Sequence, residues 1–429
     1  MIYAVGLVGS VLLAVGSYGG GAVPSGVWRL HPTWLGVLLC AVGVLLLLVA
    51  WWRLRGSATS AVLQAAALWS VPLLVSVPLF SRDVYAYAGQ AHLVDAGLSP
   101  YTHGPSAAPG PLSANVDDVW ANTRSPYGPV FLRVASWLVP GQHVVASVLL
   151  LRLLAVAGLA LLAWGLVRLG GARAAWLGVA NPLVLLHAVS GAHNDVLMAG
   201  LMAVGLAVAP ASLAAAAALV VVAALVKLPA VVALGFLPLL WTGRRLRGYV
   251  VVAGSAAVTL VVVVVATGLG WGWLHTALAA GSARRSLLSV TTGLGVLIGQ
   301  EGPVHVVGLG VVAAVGLVML MRASRVGVLL ALGLTMLAFA VLAPVVQPWY
   351  LLWALPAIAV AAGPRLAVGL GAAGAVLCLL ILPSGRHVIR PPLYGVPAVL
   401  AAAVGYAASR AVAVVPAPAP NAALATPTT

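Results

Sequence analysis

All six carboxylates of this 429-residue chain stand in or beside polar breaks between apolar runs. Asp83, Asp95, Asp117 and Asp118 fall in one polar stretch, while Asp195 and Glu301 mark the edges of two later runs. A side chain that the rest of the sequence excludes reads as functional by default. Asp83 follows an apolar run at once, inside Ser81-Arg82-Asp83-Val84-Tyr85-Ala86-Tyr87, with a cation and two phenols beside it. A carboxylate so placed can take a proton from a hydroxyl. It also suits the N-cap of a helix running through His92, so two roles are open for it. Asp117-Asp118 invites a metal reading, but no histidine or second carboxylate cluster lies nearby; a turn or a cap for Val119-Trp120 fits, and no metal is assigned.

Two further constellations carry polar groups. Ser190-Gly191-Ala192-His193-Asn194-Asp195 leads into an apolar run, where its side chains can bind hydroxyls or phosphate, or clamp two helices together. Lys227 is the chain's only lysine and sits between two apolar runs, so its ammonium must find an anion or snorkel to the surface. Tyr101 and Tyr127 lie in turn-rich segments, where aromatic rings stack on sugars or settle at headgroup depth. Cys40 and Cys378 lie in apolar runs and read as small buried side chains.

The elements that must position these groups follow from composition. With 63% hydrophobic and 6% charged residues and a mean hydropathy of +1.14, too little polar surface exists to cover a water-soluble core. Runs long enough to cross hydrocarbon as helix recur throughout, and a bilayer obliges each span to satisfy its own backbone. The expected fold is all-α and polytopic, with spans at 3–23, 34–52, 60–80, 144–167, 174–190, 195–209, 212–226, 230–241, 249–267, 304–321, 326–343, 351–362, 366–382 and 393–409. That is roughly 13–14 transmembrane helices. A juxtamembrane helix is expected in the first large outer loop, about residues 81–143. Residues 1–410 read as one transmembrane domain, and the Pro- and Thr-rich 411–429 as a disordered cytoplasmic tail.

Arg53, Arg55, Arg168, Arg173, Arg244, Arg245, Arg247, Arg322, Arg325, Arg365 and Arg410 fall on one side if the spans alternate, which makes that side and both termini cytoplasmic. The acidic loop and the Gln347-Pro348-Trp349-Tyr350 corner then share the outer face. Arg29, Arg82, Arg124, Arg133, Arg284, Arg285, Arg386 and Arg390 lie there against the positive-inside bias, either as lipid anchors or as partners of a substrate phosphate. The net charge of +15 is spread over short loops, so no nucleic-acid surface is implied.

Ser81 to Tyr87, Gly97-Leu98-Ser99-Pro100-Tyr101, Ser125-Pro126-Tyr127-Gly128-Pro129, His193 to Met198, Lys227-Leu228-Pro229-Ala230 and Gln347 to Tyr350 together resemble the actinobacterial polyprenol-phosphomannose-dependent α-1,6-mannosyltransferases, members of the GT-C superfamily. The resemblance implies a multi-pass plasma-membrane enzyme that moves mannose from polyprenyl-phosphate mannose to a mannan (lipomannan) or glycolipid acceptor outside the cytoplasm. Asp83 would be the general base of an inverting transfer. Arg82, Lys227, Arg284 and Arg285 would hold the donor phosphate, with no metal and no cofactor. Tyr85, Tyr127, His193, Asn194, Asp195, Gln347, Trp349 and Tyr350 would contact substrate. The rival class is a secondary transporter or lipid flippase, which would gather its polar groups at mid-membrane in two related halves. A non-catalytic partner in cell-envelope assembly is the third.

Overall fold

Glycines decide how the first helices meet. In the computed structural model, which describes residues 1–279, 285–388 and 393–412, helix Ile2–Gly20 packs along helix Thr33–Arg53 through paired glycines. A Cβ added to Gly9 would stand 2.8 Å from the Gly43 carbonyl oxygen, and one on Gly16 2.8 Å from that of Gly36. Close approach of this kind is how helices associate where no hydrophobic effect drives them together. The same device recurs between helices Val144–Gly178 and Asp195–Val208, where a Cβ on Gly158 would meet the Leu197 Cα at 2.6 Å.

The chain is all-α among the described residues, its only extended pairing being a single bridge between Ile381 and His387. It is a polytopic membrane protein. Among the described residues, five helices are long and apolar enough to cross a bilayer: Ile2–Gly20, Thr33–Arg53, Val144–Gly178, Arg245–Thr267 and Glu301–Val326. Pro182–Ser190 and Asp195–Val208 pass the same test of length and apolarity as a pair, bent by 116° at the break between them. Seven apolar helices of 10–17 residues accompany them. Several expected spans are shorter than the sequence suggested, because prolines and glycines interrupt the hydrogen-bond ladder inside apolar runs. Run 60–80 is helical only over Thr59–Leu74. Run 230–241 forms two 3-10 pieces, Leu228–Gly235 and Leu237–Leu240, each opened by a proline. Runs 144–167 and 174–190 are parted at Gly171, whose φ of 62° breaks one long helix. Helix Val396–Ala411 reaches to the start of the expected tail, and residues 413–429 lie outside the described residues.

One buried core runs from Leu13 to Ile381. At one end of it, Trp51 and Trp176 stack with centroids 4.6 Å apart and donate their indole N–H groups to each other's carbonyls at 2.8 and 2.9 Å. This pair of hydrogen bonds ties helix Thr33–Arg53 to helix Val144–Gly178 beside Arg53. Arg152, 1% exposed, ties the other end: it donates to the Leu74 carbonyl at 2.7 Å and to the Ser190 carbonyl at 2.8 Å. Leu74 ends a helix, where the dipole favours a cation. Both segments that lead to the candidate site therefore hang on one guanidinium.

Candidate active site

The chain after Leu74 cannot continue as helix past Pro78, and it is clamped instead. Ala22 donates to the Pro78 carbonyl and Phe80 to the Pro383 carbonyl, each at 2.9 Å. Phe80 adopts φ of 61°, and Ala192, just before His193, φ of 53°. These are the two non-glycine residues with positive φ among the described residues. Such conformations cost about 1–3 kcal/mol each and persist where surrounding structure enforces them, commonly at functional sites.

Helix Asp83–Asp95 begins directly after this clamp. The Ser81 hydroxyl accepts the Asp83 N–H at 3.1 Å, so the side-chain oxygen at the helix start comes from Ser81 and the Asp83 carboxylate is left free of capping. Asp117, by contrast, does cap: it accepts from the Val119 N–H at 3.2 Å. The Asp83 carboxylate turns inward, 16% exposed, with one oxygen 3.8 Å from His193 Nδ1. Burial pushes its pKa up to about 6; Lys227 opposes the shift, while Asp195 and Asp117 add to it.

Asp195 opens the second half of the bent span and is fully buried. Both its oxygens accept from Lys227 Nζ, at 2.7 and 2.8 Å, and one also accepts the Trp353 indole N–H at 2.6 Å. Lys227 Nζ lies 5.0 Å from the centre of the Tyr350 ring, 5.6 Å from Trp353 and 5.8 Å from Tyr127. The Tyr127 turn reaches it because Gly128 and Val130 donate to the carbonyls of Val226 and Leu225 at 3.1 Å. A lone buried charge would be costly, so pair and rings must be kept together.

His193 joins the two carboxylates. Its Nδ1 faces the Tyr87 hydroxyl at 3.3 Å, Asp83 at 3.8 Å and Asp195 at 4.0 Å. The ring stacks on Trp349, with centroids 4.0 Å apart, while Tyr350 stacks on Trp353 at 3.9 Å. Nε2 of His193 and both amide atoms of Asn194 are buried without a hydrogen-bond partner. Unpaired buried polar atoms need an explanation, and hydrogen-bonding groups of a bound ligand would satisfy them.

The structure thus brings together Asp83, Tyr127, His193, Asn194, Asp195, Lys227, Trp349 and Tyr350. Gln347 stands one residue before the 3-10 turn Pro348–Tyr350, its carbonyl accepting from the Tyr350 N–H at 3.0 Å. Tyr85 is placed elsewhere: it faces away on the same helix and donates to the Ala22 carbonyl at 2.6 Å. Arg285 is also apart, on an exposed surface and paired with Glu301 at 2.6 Å. Arg284 lies outside the described residues. Arg82 points to the other side of the helix start, 3.9 Å from Asp117. Sequence reasoning missed Tyr87, Trp353 and Arg152. The first two were findable, since Tyr87 stands four residues after Asp83 and Trp353 three after Tyr350, spacings that share a helix face. Nothing local marks Arg152, whose partners are backbone carbonyls far along the chain.

A free carboxylate, an ion pair and a wall of rings, gathered where membrane helices begin, are the equipment of a membrane-embedded group-transfer enzyme, and likeness to known proteins narrows that class to the glycosyltransferases. Residues 3–243 match the family model described as alpha-(1->6)-mannopyranosyltransferase, N-terminal domain, and residues 265–411 match the MptB C-terminal domain. Alpha-(1->6)-mannopyranosyltransferase A of Mycobacterium tuberculosis is 35% identical, the match covering 89% of this chain and 84% of that one. A probable alpha-(1->6)-mannopyranosyltransferase of Mycolicibacterium smegmatis is 32% identical over 82% of this chain and 77% of its own. Alpha-(1->6)-mannopyranosyltransferase B of Corynebacterium glutamicum is 28% identical over 83% and 72%. No solved structure matches. The chain belongs to the alpha-(1->6)-mannopyranosyltransferase family, and it is a membrane mannosyltransferase.

Proposed function

We propose that this enzyme takes mannose from polyprenyl-phosphate mannose and passes it, with inversion, to a hydroxyl of a mannan or glycolipid acceptor on the outer face of the membrane, with Asp83 as general base. The observation that carries this reading is the contrast between the two inward carboxylates. Asp195 is neutralised by Lys227 and bonded to Trp353, whereas among the described residues no lysine or arginine lies within ion-pair distance of Asp83, which keeps part of its surface open. A pKa of about 6 leaves Asp83 mostly ionised at neutral pH yet basic enough to accept a hydroxyl proton in the transition state. Near-neutral operation is where a general base works best.

Inversion needs one base and one stabilised leaving group, with no protein nucleophile and no step that calls for a metal. The acceptor oxygen attacks the anomeric carbon, its proton passes to Asp83, and the bond to phosphate breaks in line. His193, bonded to Tyr87 and stacked on Trp349, holds its Nδ1 3.8 Å from the Asp83 carboxylate. Asn194 and the open nitrogen of His193 meet sugar hydroxyls. Sidedness is supported by the length of helix Thr33–Arg53, 21 residues or about 30 Å. That is one hydrocarbon thickness, separating Arg53 and Arg55 at one end from the Asp83 side at the other. The first group is cytoplasmic on this reading, as are both termini.

Purified protein supplied with β-linked polyprenyl-phosphate mannose and a mannoside acceptor should release a product whose new linkage is α by NMR. A β-linked product, or transfer from a nucleotide sugar in preference to the lipid donor, would refute the mechanism.

A further inference from the structure

The proposed transfer requires a place for the departing phosphate, and the cations at the Asp83 cluster do not provide it. Lys227 is already held by both oxygens of Asp195, and Arg285 by Glu301. A separate cavity of about 230 Å³ opens beside the start of helix Asp83–Asp95. Arg29, Arg82 and Arg386 converge on it with the hydroxyl-bearing Thr33 and Ser384, and no acidic residue lines it among the described residues. Asp117 lies 3.9 Å from Arg82 Nε and is itself largely in the open. The arginines are not saturated. Arg29 donates to the Gly19 carbonyl, Arg82 Nη2 reaches the Asn115 carbonyl at 3.4 Å, and Arg82 Nε is buried without a hydrogen-bond partner. Arg386 is exposed and forms no ion pair among the described residues.

A second feature of the cavity favours an anion independently. Thr33 is the first residue of a 21-residue helix whose N-cap, Pro32, makes no side-chain cap bond, so first-turn N–H groups and the positive end of the dipole are open there. Placement identifies the anion as lipid-borne. The cavity lies where helices Ile2–Gly20 and Thr33–Arg53, both candidate spans, end and begin. Trp28, Leu30 and Trp34 flank Arg29 and are 86%, 68% and 68% exposed, the pattern of an interfacial belt. Its volume falls below the roughly 300–1,000 Å³ of drug-sized ligand sites, which suits a phosphate head with its chain outside.

We propose that Arg29, Arg82 and Arg386 bind the phosphate of the lipid-linked sugar donor and retain it as the lipid monophosphate after transfer. The assignment rests on the donor class proposed above. Arg82 and Asp83 are neighbours, with Cα atoms about 3.8 Å apart, yet their side chains leave the backbone on different sides, toward Asn115 and toward His193. Base and phosphate site thus lie on either side of the chain at the start of helix Asp83–Asp95. When the acceptor oxygen bonds to the anomeric carbon, the carbon–oxygen bond to phosphate breaks and its electron pair stays on phosphate. The group passes from a singly charged diester to a more highly charged monoester, and three guanidinium groups favour the second form over the first.

The test is direct binding of a radiolabelled short-chain polyprenyl monophosphate to purified protein in detergent. Arg29→Gln and Arg386→Gln should each weaken it about 10- to 100-fold, the worth of a lost charge-assisted bond. Arg386→Lys should recover most of the binding, and an unchanged gel-filtration profile excludes misfolding. Retention of phosphatidylglycerol, followed by native mass spectrometry, should not change. Unaltered polyprenyl monophosphate binding in both glutamine variants would overturn the assignment. So would equal loss of both lipids, which would make the cavity a general headgroup anchor. Asp83→Asn should bind like wild type but not turn over; if it turns over normally while the arginine variants lose binding, the base assignment falls and the phosphate site stands.

Discussion

Replacing Asp83 by asparagine should remove activity and stabilise the protein. The site raises the Asp83 pKa from 3.8 to about 6, and each unit is worth about 1.4 kcal/mol, so holding this carboxylate ionised in the folded chain costs about 3 kcal/mol at neutral pH. The native state binds the proton more tightly than the unfolded state. Stability therefore falls as pH rises from about 4 through about 6, and the cost is complete above that. Asparagine carries no charge and avoids it, at nearly the same volume. Thermal unfolding in detergent should show Asp83→Asn more stable than wild type at pH 7.5, with the gap closing toward pH 4. Mannosyl transfer should drop by about 10²–10⁴, the usual contribution of a general base. Lower stability together with retained transfer would refute the reasoning, since it would make Asp83 a structural helix-start residue.

The remaining predictions concern the supports of the site. Wild-type kcat/KM should rise about tenfold per pH unit below about 6 and level off above it, following ionisation of Asp83; a profile flat between pH 5 and 7.5 would count against the base role. Lys227→Met leaves the buried Asp195 charge unpaired and should cost about 3–5 kcal/mol, much of it recovered in Lys227→Met/Asp195→Asn, as a double-mutant comparison of unfolding would reveal. Arg152→Met frees the Leu74 and Ser190 carbonyls and should lower both melting temperature and turnover without changing the pH midpoint. Gly36→Leu should prevent helices Ile2–Gly20 and Thr33–Arg53 from closing, seen as loss of a monodisperse gel-filtration peak.

The class of protein was legible in the chain because it depends on composition and local order. A sequence with 6% charged residues has no soluble option, and its carboxylates stand out against that background. Asp83, His193, Lys227 and Trp349 each fall at the end of an apolar run, where turn residues advertise a break. Helix lengths were less legible, because Pro72, Gly171 and Pro229 interrupt runs that hydropathy reads as continuous. Charge pairing was not legible at all. Lys227 reads as a phosphate ligand or a snorkelling cation, yet it pairs with Asp195, which stands 32 positions away with nothing local to link them.

The sequence by itself determined that this protein lives in a membrane as helices and which few side chains are available for chemistry, because exclusion of charge from hydrocarbon acts on each residue alone. Tertiary structure decided which of the two inward carboxylates is neutralised and which is free, and that Arg29 and Arg386, more than 350 residues apart in the chain, share a cavity with Arg82. Those outcomes depend on the close approach of helices through glycine pairs and on a buried guanidinium that holds two distant carbonyls, interactions that exist only once the chain has folded.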